Sequence, residues 1–496
     1  MKHHFLRRGR TGFVLILFAQ AVFLLTVACG SGGLEESPDS SLSVVLVSID
    51  TLRADHLSCY GYERPTTPNI DYFATEGVLF EQNVNTGGGT LPVHMSMLTS
   101  LAPTVHGVFP GNGRALAEGH TTLAEALHDA GYATAAFVDG GYLSGNFGFS
   151  QGFDLYFDRN YKGVMGKIES YFDDGGLAEL LPRALGWLSR HRKQPFFLFL
   201  HTYDTHSAVT RLPYESPPPF LNKYVASGYS GSFDGCRASR CASELLLWHN
   251  QARRDEVPGP NELFTDEEME YTVALYDGAI TYVDHQIGLL LAALEDLEVA
   301  QRTLVVLTSD HGEEFLDHGF LLHDQNYEEV ARVPLILRFP DRSHAGRRVA
   351  NLVSTLDLLP FILDATGAPP LPQAMGLSLL PLVSSPSAGG FERPVHIASG
   401  REKLRTRHWS MLAENNRPAE LYSLADDPTE QGNRIDEYPD VAADLFDQLL
   451  EIRSHEIDVR DRLGFTDHEE AELAPEELEK LRALGYAEPD PALPPS

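Results

Sequence analysis

Cysteine is scarce in this 496-residue sequence, with four in all, and so is positive charge, with 38 Lys and Arg against 70 Asp and Glu. Four cysteines over such a length exclude a fold built from disulfides. A formal net charge of −32 excludes the broad basic surface with which nucleic-acid binders displace counterions from phosphates, so no nucleic-acid partner is expected. No internal repeat recurs, and 42 Gly and 31 Pro without a period exclude a collagen-like chain. With 43% hydrophobic residues the chain is not disordered either. Its length allows one large α/β domain and a smaller companion.

The apolar run Phe13 to Val27 follows Lys2, Arg7, Arg8 and Arg10 and ends at Ala28, Cys29, the layout of a secretory signal peptide. Leu25, Thr26, Val27, Ala28, Cys29 resembles the lipobox of bacterial lipoproteins, with Thr26 a poorer fit than an aliphatic residue. Residues 1–28 are therefore expected to be removed and residues 29–41 to act as a flexible tether. A lipid on Cys29 would hold the chain at the membrane of the bacterial cell envelope, with its catalytic part in the periplasm or outside. An uncleaved anchor helix is the alternative, although the run is short against the roughly 20 residues of a membrane span. Cys236 and Cys241 could close a small disulfide loop or bind metal, and Cys59 reads as a buried thiol.

Several apolar runs end in side chains that bind metals. Val44 to Ile49 leads to Asp50, Thr303 to Thr308 leads to Ser309, Asp310 and His311, and Phe196 to Leu200 leads to His201, with Asp204 and His206 beyond. Near-continuous apolar runs are strands buried on both faces of a parallel sheet. In such sheets ligands bind outside the carboxyl ends of the strands, so these residues predict one site at one edge. Ala133 to Val138 and Val333 to Phe339 are further strands. Thr122 to Ala130, with Thr122 and Glu125 spaced as a capping box, and Asp266 to Leu297 are helices between them. The fold class is α/β, a wound sheet flanked by helices over residues 42–385. Shorter strands near Val395 to Ala398, Trp409 to Leu412 and Glu420 to Leu424, with a polar helix over 440–456, predict a small α+β domain over 386–456. Residues 457–496 read as an acidic, Pro-rich tail, and Arg211 to Gly259 as an insertion loop near the site edge.

Thr90 follows three glycines and precedes Pro92 by two residues, which predicts a helix beginning at Thr90. A helix N-terminus favours an anion, and a hydroxyl beside a metal can act as a nucleophile. An ordinary threonine helix cap is the alternative for this segment alone. His94 lies one turn on and shares a face with Thr90.

Four segments carry a resemblance: VVLVSIDTLRADHLSCYGYERPTTPNIDYFATEGVLFEQ, TLPVHMSMLTSLAPTVHGV, YDGAITYVDHQIGLLLAALEDLEVAQRTLVVLTSDHGEEF and YEEVARVPLILRFP. In this order they resemble the sulfatase family of the alkaline phosphatase superfamily, from about Val44 to Leu382. ELYSLADDPTEQGN, at Glu420 to Asn433, is similar to that family's carboxyl-terminal domain. The resemblance implies an alkaline-phosphatase-like fold and a metallohydrolase that cleaves sulfate or phosphate esters through a covalent intermediate.

By this resemblance Asp50 matches the first of the family's paired metal-binding aspartates, while Thr51 stands at the second. Asp310 and His311 match the later metal pair, where many sulfatases have Asp and Asn. The metal set is thus Asp50, Thr90, Asp310 and His311, holding a divalent ion among Zn, Mn, Ca and Mg, with the imidazole favouring zinc or manganese. Thr90 stands where sulfatases carry the Cys or Ser that becomes formylglycine, so no formylglycine is expected. His94 replaces an Arg and His323 a Lys, His206 keeps its family position, and Asp139 and Gly141 stand where a Lys and a His are usual. Thr90, His94, His206 and His323 are the expected catalytic set: Thr90 attacks, His94 steadies the anion, and His206 or His323 protonates the leaving group. Asp204, His201 and His318 are not assigned, and His285 reads as a surface residue. The pattern resembles the threonine-nucleophile branches of the superfamily and favours phosphoesters. The alternatives are a sulfatase of sulfated carbohydrates or aryl sulfates, and an inactive anion-binding lipoprotein. In the first two readings the partner is an anionic ester.

Overall fold

The computed structural model describes residues 41–110, 113–159, 176–207, 212–229, 231, 241–254, 264–323, 325–385, 391–464, 471, 473, 477, 478 and 481. The expected signal segment, Cys29, the tether to residue 40, the Cys236–Cys241 pairing and most of the tail lie outside them.

Strands β1 (Ser43–Ile49), β2 (Val78–Val84), β3 (Ala133–Val138), β4 (Leu155–Asp158), β5 (Phe196–Thr202) and β6 (Thr303–Thr308) precede a small hairpin, β7 (Glu314–Phe315) and β8 (Leu321–Leu322). After it come β9 (Arg332–Arg338) and β10 (Arg347–Ser354). Without the hairpin these form an 8-stranded sheet in the order β10-β2-β9-β6-β1-β5-β3-β4. Only β9 runs against its neighbours; the other pairings are parallel. The connecting helices used below are α1 (Pro68–Thr75), α2 (Thr90–Thr99), α3 (Leu123–Asp129), α4 (Leu177–His191), α5 (Cys241–Arg254), α6 (Asp266–Asp296) and α7 (Leu358–Thr366).

Alternation along β1 explains why the sheet is covered twice. Val45, Val47 and Ile49 join one apolar core with Ile70 of α1, Leu180 of α4 and Leu275 of α6. Val44 and Leu46 point the other way, to a second core with Leu91 of α2, Leu123 of α3 and Leu359 of α7. Each such side chain contributes roughly 1.5–3 kcal/mol on burial, so the three layers are held mainly by this alternation. Helix α3 begins with the Thr122–Glu125 capping box read from the sequence, and α6 with a second one, Thr265 and Glu268.

The carboxyl-terminal part is an antiparallel sheet of β11 (Val395–Ile397), β12 (Glu402–Arg405), β13 (Trp409–Glu414) and β14 (Arg417–Ser423), covered by α8 (Pro439–Leu463). Leu404, Met411 and Leu421 pack on Leu445 and Leu449 of α8. Helix α8 stops only at Gly464, whose φ of 71° is the left-handed turn glycine accepts most easily. The expected boundary between residues 456 and 457 therefore falls inside this helix. Ser41–Ser496 groups as one compact unit. Lys403 of β12, fully buried, ties the small sheet to the rest through Glu328 at 3.0 Å and pairs within its own part with Glu430 at 2.8 Å. Among the described residues no helix is long and apolar enough to cross a membrane.

Candidate active site

Strand register builds the site. Ser48 of β1 pairs with His201 of β5 and with Thr308 of β6. Two residues further on, Asp50 and Asp310 therefore emerge side by side at the carboxyl edge. The loop after Asp50 is fixed by Asp310 Oδ1, which accepts from Thr51 N at 3.3 Å, and by Ser309 Oγ, which accepts from Leu52 N at 3.0 Å. Tyr276 Oη donates to Thr51 O at 2.6 Å. Thr51 sits at φ 53°, unusual for a β-branched residue. Its hydroxyl donates to Thr205 O at 2.8 Å, so it turns away from the carboxylates.

Thr90 is the first residue of α2, after Gly89 at φ 136°. Its Oγ1 donates to Asp50 Oδ2 at 3.2 Å and lies 3.2 Å from His311 Nε2. His311 Nδ1 lies 2.9 Å from Gly312 O, which can only accept, so the proton is on Nδ1 and the Nε2 lone pair faces Thr90 and the carboxylates. Gly312 is required here: a Cβ would lie 1.8 Å from Glu329 O.

Asp50, Asp310 and His311 offer ligand atoms within 4.8 Å of one another, all buried. Asp50 Oδ1 and Asp310 Oδ2 find no hydrogen-bond partner among the described residues. Burial, and next the neighbouring Asp310 charge, push Asp50 well above the usual carboxylate range. Burial acts against the charge of Asp310 too, but His311, His94 and His201 outweigh it and hold Asp310 below that range. His311 is lowered to about 4, by burial first. Two buried carboxylate oxygens without donors, beside a neutral imidazole lone pair, fit a divalent cation.

His206 and His323 stand together on the other side of His311, with ring centroids 5.3 Å apart and His323 4.4 Å from His311. His206 is held well below its ordinary value by burial and then by His323 and His311. His323 Nδ1 lies 3.1 Å from Glu313 Oε2, and Glu313 Oε1 accepts from Tyr214 Oη at 2.6 Å.

His94 does not take the position expected of it. Its Nδ1 donates to Thr90 O at 2.9 Å and lies 3.5 Å from Asp310 Oδ2, and its Nε2 accepts from Ser48 Oγ at 2.8 Å, so the buried ring joins α2 to β1 behind the carboxylates. His201 of β5, left unassigned, places Nε2 3.3 Å from Asp50 Oδ2. Asp139 pairs with Arg159 at 2.9 Å. Asp204 accepts from Leu177 N and from Thr202 Oγ1, both at 2.8 Å, and so fixes the start of α4. His318 lies outside the cluster, between Glu329 Oε1 at 2.6 Å and Glu430 O at 3.0 Å. His285 is exposed on α6. The sequence did not single out Glu313, Tyr214 or Ser48; a doubled acidic residue after Asp310-His311 was the one available signal for Glu313.

The family model described as Sulfatase matches residues 43–368, which spans both metal-type strand ends, α2 and the histidines. The chain belongs to the sulfatase family. A second model, N-sulphoglucosamine sulphohydrolase, C-terminal, matches residues 316–455 of this sulfatase-family chain. Arylsulfatase K of Homo sapiens is 25% identical over 470 residues, covering 87% of the chain and 86% of the relative. Among solved structures, the phosphonate monoester hydrolase of Agrobacterium radiobacter has a TM-score of 0.65 at 21% identity, covering 84% of this chain and 96% of its own. A structure in complex with its substrate D-glucosamine-2-N,6-O-disulfate has a TM-score of 0.64 at 21% identity, covering 88% and 100%. These similarities establish the alkaline-phosphatase-like fold and make this family member a hydrolase acting on ester bonds.

Proposed function

We propose that this sulfatase-family enzyme is a metal-dependent hydrolase, or transferase, of phosphoesters that uses Thr90 as its nucleophile. The observation that carries the reading is Thr90 Oγ1 at 3.2 Å from both Asp50 Oδ2 and His311 Nε2, at a helix N-terminus. A divalent cation on Asp50, Asp310 and His311 would supply positive charge that acidifies the Thr90 hydroxyl and polarises the ester. The Thr90 proton leaves along its hydrogen bond to Asp50 as Oγ1 forms a bond to phosphorus. The bond from phosphorus to the leaving oxygen breaks, its electron pair stays on that oxygen, and an imidazolium gives that oxygen a proton and is left neutral, while Asp50 keeps the Thr90 proton until the release step. His323, whose Nδ1 lies 3.1 Å from the Glu313 carboxylate that would stabilise its imidazolium, is the donor. The N-terminus of α2 faces the anionic oxygens. Water or an acceptor alcohol then releases the product from Thr90.

A second reading, a sulfatase of sulfated carbohydrates or aryl sulfates, draws support from the N-sulphoglucosamine sulphohydrolase match and the arylsulfatase relative. In either case formylglycine is absent from the proposal, because Thr90 occupies that position. The leader sequence supports export and a lipid anchor on Cys29 at the cell envelope. The test is turnover of an aryl phosphate, a bis-aryl phosphodiester and an aryl sulfate by the wild type and Thr90→Ala, with manganese, zinc and calcium varied. Phosphoester turnover that vanishes in Thr90→Ala is expected. Turnover of the sulfate alone would replace the first reading by the second, and retention of activity in Thr90→Ala would refute the nucleophile.

A further inference from the structure

Two residues from the region between β5 and α6 hold the neighbours of His323, one its carboxylate partner and the other the chain just before it. Tyr214 Oη donates to Glu313 Oε1 at 2.6 Å, and Glu313 Oε2 lies 3.1 Å from His323 Nδ1, so the ring is held by a buried tyrosine–carboxylate pair. Asn250 on α5 grips the chain two residues before His323. Its Nδ2 donates to Leu321 O at 2.6 Å and its Oδ1 accepts from Leu321 N at 2.9 Å. Neighbouring residues of α5 act on the same hairpin: His249 Nε2 lies 3.2 Å from Gly319 O, and the Arg253 guanidinium lies 5.5 Å over the Phe320 ring.

The hairpin needs such a grip. Leu316 at φ 65° and Leu322 at φ 69° both lie in the left-handed region, which bulky residues avoid. Leu322 directly precedes His323, so relaxation of its backbone would swing the imidazole away from His311 and His206. Two hydrogen bonds to Leu321, on a buried Asn250, oppose that relaxation.

We propose that Tyr214 and Asn250 are positioning residues for His323: Tyr214 acts through Glu313 on the ring, and Asn250 on the backbone, so that the imidazole faces the leaving-group side of the site. The inference rests on the reading of His323 as proton donor to the leaving group. Both residues belong to the stretch expected to be an insertion loop near the site edge, and the inference gives them a part in the catalytic wall.

The experiment measures kcat and KM of the full chain with a divalent metal on two esters of the accepted class, one with a nitrophenolate and one with an alkoxide leaving group. The proteins are wild type, Tyr214→Phe, Asn250→Ala, His323→Ala and the two doubles with His323→Ala, with melting curves to verify folding. Tyr214→Phe and Asn250→Ala are each expected to lower kcat on the alkoxide ester about tenfold with little change in KM, and to lose that effect when His323 is already Ala. On the nitrophenyl ester, which leaves without a proton, the losses shrink. Losses that persist in full in the His323→Ala background, or that are equal for both esters, would overturn the positioning role while leaving the proton-donor reading intact. A His323→Ala enzyme with undiminished kcat on the alkoxide ester would overturn that reading and this inference with it. Should Asn250→Ala fail to fold, Tyr214→Phe, which deletes one oxygen, decides alone.

Discussion

If a divalent cation is held by Asp50, Asp310 and His311 as proposed, its removal is expected to destabilise the fold where both carboxylates are ionised, and Asp310→Asn to cancel much of that loss. The donor atoms lie within 4.8 Å of one another and both carboxylates are buried. Two like unit charges at that separation repel by about 3.5 kcal/mol or more at an effective dielectric constant of about 20. Unfolding entropy of about 2.1 cal/mol/K per residue, applied to Ser41–Ser496, amounts to about 1 kcal/mol/K, so once pH exceeds the raised value of Asp50 and both carboxylates are ionised, the repulsion lowers Tm by about 3–4 °C. The pH dependence has a definite sign. Asp50 is raised well above its unfolded value, by burial and then by Asp310. The cation-free folded state thus holds a proton there more tightly than the unfolded chain, and this contribution fades as pH rises through the raised value. The gap between metal-loaded and chelated protein therefore widens toward alkaline pH. Scanning calorimetry with manganese or zinc, and after chelation, at about pH 6 and about pH 8 measures it. Asp310→Asn retains an acceptor for His311 N, which Oδ1 now accepts at 2.8 Å, and removes one charge. At the higher pH, where both carboxylates are ionised, its chelated form should melt above chelated wild type. At the higher pH, chelation without effect, or a chelated Asp310→Asn that melts below chelated wild type, would refute the reasoning.

Lys403→Met leaves the buried Glu430 carboxylate without its cation at 2.8 Å and should destabilise by about 3 kcal/mol or more in guanidinium unfolding. Asp204, pushed up to about 7 by burial and then by Asp139, makes the fold lose stability as pH rises from about 4 to about 7, by up to about 4 kcal/mol. Asp204→Asn should flatten that slope in chemical denaturation measured across this range, and an unchanged slope would locate the titration elsewhere. Gly312→Ala drives a Cβ to 1.8 Å from Glu329 O, so the turn after His311 must open, at about 3 kcal/mol or more. Metal content by elemental analysis should fall with it, because His311 moves.

The sequence by itself determined the strands that end at Asp50 and at Asp310-His311, the helix that starts at Thr90, and the wound α/β class. Burial on both faces demands uninterrupted apolar runs, and helix starts demand particular residues at fixed spacing, so these features are written in neighbouring positions. Strands β2 and β10 were not singled out as elements, since Glu81 and Gln82 interrupt one and a register shift interrupts the other. Tertiary structure alone decided that His94 turns to Ser48, that His201 reaches Asp50 from 151 residues away, and that Tyr214 backs Glu313 from a distance of 99. Those contacts follow from which strands pair and in what register, and from where a hairpin with left-handed leucines is pinned. Such facts depend on long-range packing, which no local run of side chains encodes.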